Sequence, residues 1–274
     1  MIASRLAYKW LASVPFLVFA SLATGAAVLS CSEFGTDPDA AVAIEIDPLE
    51  LPAIVVGDSL RDAMGQVVSL SARAFNSSND IISGAPIRFY LLDTGIVTLD
   101  SITGRIFGQR TGQATVIASI GGLQSDRITI RVTLRPDTIF GLDSLRRSML
   151  FSLQGATNSG DLRVFLGHDS LTSAGADTSI AVPNYLVRFR IVAPGGDSAS
   201  ISDTTRVVLT NESDRPSVVD TSDAQGIASR RLRLSAAVNI IPDSVVVEAT
   251  ATRPDNSPVA GSPVRFIIRI IRQP

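Results

Sequence analysis

The sequence predicts an all-β protein made of two antiparallel sandwiches in tandem, placed behind an export signal. Three observations carry this. Runs in which apolar and polar residues alternate recur from residue 41 onward, separated by Gly, Pro, Asn, Asp and Ser. Stretches with the 3.6-residue apolar spacing of a helix are nearly absent over the same range. The 274 residues are 45% apolar and 18% charged, a foldable composition whose length suits one or two domains. Composition also excludes. Lys plus Arg number 24 against 26 Asp plus Glu, so a net charge of −2 supplies no basic field for phosphates and nucleic acid is not an expected partner. A single Cys (Cys31) and a single His (His168) close off a disulfide within the chain and most metal sites. No cofactor, metal or catalytic residue is expected.

Residues 1–30 read as a signal. Arg5 and Lys9 form a positive start, and Trp10 to Ser30 then run 21 residues without a charge. About 20 apolar residues would also span a bilayer, but Pro15, Gly25 and four Ser/Thr weaken such a span. Val28-Leu29-Ser30-Cys31 decides between the two, because it resembles the lipobox of bacterial lipoproteins. That resemblance implies cleavage before Cys31, a diacylglycerol on its thiolate and further acylation such as palmitate. Each buried methylene then stabilises membrane residence by about 0.8 kcal/mol. Cleavage removes Arg5 and Lys9 and takes the net charge from −2 to −4. Ser32 after the Cys implies, by the same resemblance, sorting to the outer membrane. Residues 31–40 comprise the lipidated Cys and a polar tether with Gly35 and Pro38, whose nine residues after the Cys reach about 30 Å.

Residues 41–134 read as the first sandwich. Ala41–Ile46 opens it; Val68, Leu70, Ala72 and Ala74 form one inward row, and Ile87, Phe89 and Leu91 another. Gln113 to Ile120 places Ala114, Val116, Ala118 and Ile120 inward. Arg127 to Leu134 does the same with Ile128, Ile130, Val132 and Leu134, and Gly121-Gly122 between the two runs supplies a tight hairpin turn. The stretch from Gly95 to Val116, with Gly104, Gly108, Gly112 and Ala114-Thr115 in order, resembles the signature of group 2 bacterial immunoglobulin-like domains. The resemblance implies an immunoglobulin-like sandwich. The Trp of that family is missing, and Phe89 is expected to fill its core site.

Residues 135–274 read as a second immunoglobulin-like sandwich with long loops, after the break at Arg135-Pro136-Asp137. Val187, Phe189 and Ile191 alternate with Arg188 and Arg190, Val245 to Ala251 repeat the pattern, and Val264 to Ile270 carry it to the end. Thr221-Ser-Asp223-Ala-Gln-Gly226-Ile-Ala resembles the Thr-Asp-x-x-Gly-x-Ala motif of group 1, invasin-like, bacterial immunoglobulin domains, with one extra residue between Thr221 and Asp223. Gly84-Ala-Pro-Ile-Arg-Phe89 and Gly261-Ser-Pro-Val-Arg-Phe266 share a pattern that hints at related strand starts in both halves.

Catalytic constellations do not assemble from these residues. His168-Asp169-Ser170 are adjacent, and neighbours in a chain rarely converge as a triad. Asp197 with Asp203, or Asp220 with Asp223, lack the regular spacing of a calcium loop and read as turn acids. The sole Trp, Trp10, leaves with the signal, so the mature chain lacks a broad platform for sugars. Loops 167–183 and 193–203, rich in Ser, Thr, Asp and Gly, are the expected places for contact. The leading expectation is a lipid-anchored envelope protein, not an enzyme. Its partners would be the membrane through Cys31 and an envelope protein or polysaccharide, and its role adhesion, spacing or assembly. The alternative is a surface polysaccharide-binding protein or a carboxylate-based hydrolase with its site in the loops of the second half.

Overall fold

Alternation turns into strands wherever one face can be buried, and among the described residues strands are the only regular elements. The structure, a computed structural model, describes residues 40–62, 64–151, 157–193, 207–234 and 242–272. The signal, the lipobox, residues 31–39 of the tether, and loop 193–203 with Asp197 and Asp203, apart from Ala193, lie outside them.

In the first half, β1 (Ala43–Ile46) pairs antiparallel with β3 (Ala72–Phe75), while β2 (Ile54–Val55) lies parallel to β9 (Ile128–Thr133). β4 (Arg88–Leu91) and β9 flank β7 (Gly112–Ile120), giving the order β2-β9-β7-β4 with β8 (Leu123–Gln124) also on β7. β5 (Val97–Leu99) and β6 (Ile106–Gly108) form a separate pair. Ile44, Leu70, Ala74, Phe89, Ala114, Val116, Ala118 and Ile130 share one core, and Phe89 is buried there as expected. Gly121 and Gly122, at φ 55° and 90°, turn β7 into β8 with Ile120 opposite Leu123, the two-residue hairpin that Gly-Gly favours. Gly104 is required by space as well as by φ (68°). A Cβ there would lie 2.4 Å from the Leu70 carbonyl oxygen.

The second half stacks two five-stranded sheets. One has β10 (Thr138–Gly141), β12 (Thr157–Leu171), β17 (Ile227–Leu234) and β15 (Val207–Thr210) in that order, with β13 (Asp177–Ala181) on β12. The other orders β11 (Arg146–Phe151), β19 (Val264–Arg272), β18 (Ser244–Thr250), β14 (Leu186–Ala193) and β16 (Val219–Thr221). Leu162, Val164, Leu166, Leu232 and Leu234 from the first meet Val187, Phe189, Val247, Phe266 and Ile268 from the second in one core. The three alternating runs read from this half bury the residues assigned inward, apart from the partly buried Ile191.

Two readings change. Residues 167–183 are not a loop for most of their length. β12 continues to Leu171 and β13 returns from Asp177, joined by a turn at 172–176. Four of the five residues of β13 are exposed, so the hairpin arm has no buried face and shows no alternation. The two Gly-x-Pro-aliphatic-Arg-Phe segments do not begin equivalent strands either. β4 lies at the edge of its sheet, whereas β19 lies between β11 and β18. What they share is a positive φ at Gly84 and Gly261 and a buried Phe.

Candidate functional site: the junction of the two halves

Four residues, Leu134 to Asp137, separate β9 from β10, and this short link presses two sets of loops together. Residues 51–62 and Gly65 of the first half face residues 184–188 and 250–256 of the second across a cavity of about 130 Å³. Pockets that enclose drug-sized ligands measure roughly 300–1,000 Å³. The junction therefore has room for a small ligand at most, and its chemistry is decided by the few groups that line it.

Those groups are largely committed to one another. The Arg61 guanidinium forks onto Asp58 at 2.7 and 2.9 Å and donates a third bond to the Gly65 carbonyl at 2.7 Å. The hydrogen bonds it donates to Asp58 raise Arg61's pKa, so the guanidinium stays charged. Tyr185 donates to the Thr252 carbonyl at 2.6 Å; burial, reinforced by Asp58, pushes its hydroxyl well above the usual tyrosine range, so it acts as a donor and not as a base. Arg253 reaches the carbonyls of Pro258 and Asp137 at 3.4 and 3.5 Å, and its Nε is buried without a partner among the described residues. Among the described residues two bonds cross the junction directly. Asn256 Nδ2 donates to Met64 O at 3.1 Å, and Thr133 Oγ1 donates to Pro183 O at 2.7 Å.

The residues singled out from sequence stand elsewhere. His168 lies on β12 with Nδ1 2.6 Å from Asp137 Oδ2 and 3.0 Å from Arg135 O, so its carboxylate partner comes from the linker. Asp169 points to the opposite face of the strand, because successive side chains alternate, and only its backbone N–H reaches Asp137. No triad forms from 168–170. Asp223 Oδ1 accepts the N–H groups of Gln225 and Ile227, as a turn acid does, and Asp220 pairs with Arg230 at 2.9 Å. Among the described residues no three His, Cys, Asp or Glu groups stand close enough to share a metal ion.

Near the turn, the hydroxyl that matters is Ser222, not Thr221. Ser222 is 2% exposed, donates to Val182 O at 2.7 Å and accepts from Tyr185 N at 2.9 Å, while Thr221 is exposed. With Ser222 in the hydroxyl position the motif has no extra residue. Sequence reasoning missed Tyr185, Arg61, Asp58 and Asn256 altogether, since no periodicity links positions as far apart as Met64 and Asn256.

No protein-family profile and no curated protein sequence matches the chain. Among solved structures, the chain is similar to the S-layer protein SbsC, domains 4 and 5, at 12% identity and a TM-score of 0.29, covering 84% of this chain and 98% of that one. It is also similar to the adhesin InvE of Yersinia pseudotuberculosis at 16% identity and a TM-score of 0.33; the match covers 82% of this chain and 58% of InvE. The D00-D0 domain of Intimin matches at 12% identity and a TM-score of 0.25, over 83% of this chain and 99% of that one.

Proposed function

We propose that the protein is a lipid-anchored component of the bacterial cell envelope, acylated at Cys31 and sorted to the outer membrane. Its two β modules act without catalysis in adhesion, spacing or envelope assembly. The observation that carries this reading is the junction. Its charged and polar side chains hold the two halves in series, behind a four-residue link too short to act as a free hinge. A spacer needs a joint of this kind. Four carboxylates of the second half support the same reading, because Asp143, Asp161, Asp220 and Glu248 each accept an arginine. The alternative, a polysaccharide-binding or hydrolytic site in the second-half loops, has less support: residues 167–183 form a hairpin arm, and the depression that Asp169, Leu171, Asp177 and Ser179 line on it is open to solvent.

Mass spectrometry of the native protein tests the anchor. The expected product begins at an acylated Cys31, and Cys31→Ser leaves the chain in the soluble fraction. A mature chain that retains residues 1–30 overturns the lipoprotein reading. Turnover of a polysaccharide or ester by the purified chain, lost on Asp169→Asn, overturns the non-catalytic one.

A further inference from the structure

The outer face of the sheet β11-β19-β18-β14-β16 is an arginine grid. Burial of Val264, Phe266, Ile268 and Ile270 turns Arg265, Ile267, Arg269 and Ile271 outward, and burial of Val187 and Phe189 does the same for Arg188 and Arg190. Register then sets the rows: Arg190 beside Glu248 beside Arg265, Val246 beside Ile267 beside Arg146, Ser244 beside Arg269 beside Ser148, and Ile271 beside Leu150. Rows lie about 7 Å apart and columns about 4.8 Å. Five arginines thus share one face with one acid among the described residues of these rows, Glu248, so this face carries a local basic field that the net charge of −2 does not reveal. That acid is 5% exposed and already holds Arg190 at 3.1 Å and Arg265 at 2.7 Å. Arg146, Arg188 and Arg269 have no side-chain partner among the described residues. The other sheet of this half is different, since Arg163 and Arg231 on its outer side pair with Asp143 and Asp161.

We infer that this face docks on a membrane surface bearing anionic phosphate headgroups. Guanidinium groups suit phosphate because they present paired donors and are weakly hydrated. Ile267, Leu150 and Ile271, 36%, 53% and 42% exposed, adjoin the arginines in register, and such a mixture of cations and aliphatic side chains matches the boundary between headgroups and acyl chains. A sugar polymer fits less well, because no aromatic ring stands in these rows to stack on a pyranose. The inference goes beyond the proposed anchor, being a second contact made by protein side chains, and it is measured without the anchor.

The experiment uses the mature chain, residues 31–274, carrying Cys31→Ser, with vesicles of phosphatidylcholine alone or mixed with phosphatidylglycerol. Cosedimentation is expected with the mixed vesicles and not with the neutral ones, and is expected to fall as salt rises from about 0.1 M to about 1 M. Arg146→Gln with Arg269→Gln should weaken binding about 25-fold, roughly fivefold for each arginine near an anionic surface. Their melting curve should be unchanged, since neither side chain has a partner among the described residues. The charge-matched control, Arg88→Gln with Arg131→Gln in the first half, should change binding less than about twofold. Equal loss in the control, equal binding to neutral vesicles, or displacement of the vesicles by polygalacturonate at a lower charge concentration would each overturn the inference. Failure of the anchor would show separately, as an unacylated Cys31.

Discussion

Ser222 serves two backbone groups with one buried hydroxyl, and those groups belong to Val182 and Tyr185, 40 and 37 residues away. Through them it fixes the start of β14, and with it the position of Tyr185 at the junction. Ser222→Ala leaves a carbonyl and an N–H buried without that partner, a loss of about 1–3 kcal/mol, whereas Thr221→Ala should stay within about 0.5 kcal/mol. Urea denaturation of the two variants checks the difference, and equal effects would restore Thr221 to the role the motif suggests. The sequence locates the turn at Asp223 to Gly226, because an acid that caps its own turn and a glycine at positive φ are local devices. It does not locate Ser222, because a hydroxyl's distant partners leave no local mark. Arg61 and Asp58, three residues apart, had a legible spacing; their place in the junction did not.

Strands with one buried face were legible, and those without were not. β7, β9, β14, β18 and β19 alternate because the core imposes it, whereas the arm made by the end of β12 and by β13 answers only to solvent and backbone pairing. Turns were legible in principle. Among the described residues one five-residue turn recurs at 76–80, 172–176, 211–215, 223–227 and 253–257, and Asp62 with Gln66 makes the same closing bond. In each turn the first N–H donates to the fifth carbonyl, and the fourth residue has positive φ: Asn79, Gly175, Asp214, Gly226 and Asn256. Asx or Thr at the first position and Gly, Asn or Asp at the fourth is the signal in all but the last; at 253–257 the first residue is Arg253, and Asp255 caps Ser257 instead. At this scale the outer face of the β14-β18-β19 strands makes a pH prediction. Burial would raise the Glu248 carboxyl, but hydrogen bonds from Arg265 and Arg190 outweigh it and hold its pKa below the ordinary 4.5. A carboxyl with a depressed folded pKa contributes stability that is present above about pH 4.5 and lost as pH falls through the folded value. Glu248→Gln should therefore cost about 1 kcal/mol at neutral pH, discounted because both guanidinium groups are partly in solvent, and the gap from the parent should close below pH 4.5. Denaturation at several pH values measures this. A gap independent of pH would mean that packing and not charge is what Glu248 provides.

On the scale of the whole molecule, two cores that share no residue are connected by a link of four, so their relative placement depends on the few bonds that cross between them. The two direct ones among the described residues, from Thr133 to Pro183 and from Asn256 to Met64, join positions that are 50 and 192 residues apart in the chain. Neither contributes to a core, and each is worth only about 0.5–1.5 kcal/mol, which is too little to hold a fold together but enough to bias a joint. Removing both therefore separates stability from geometry. Thr133→Val with Asn256→Ala should leave the sandwiches folded, with denaturation curves displaced by no more than about 1–3 kcal/mol in total. The distribution of separations between labels at Ser78 and Glu212, exposed turn residues of the two halves, should broaden. Single-molecule energy transfer on the Cys31→Ser mature chain reads that distribution directly. If the distribution stays as narrow as in the parent, the link and the packing around the cavity hold the joint by themselves, and the spacer reading loses these two bonds as its mechanism. If it broadens while both halves stay folded, rigidity is a property of the junction, set by side chains that no local pattern in the sequence reveals.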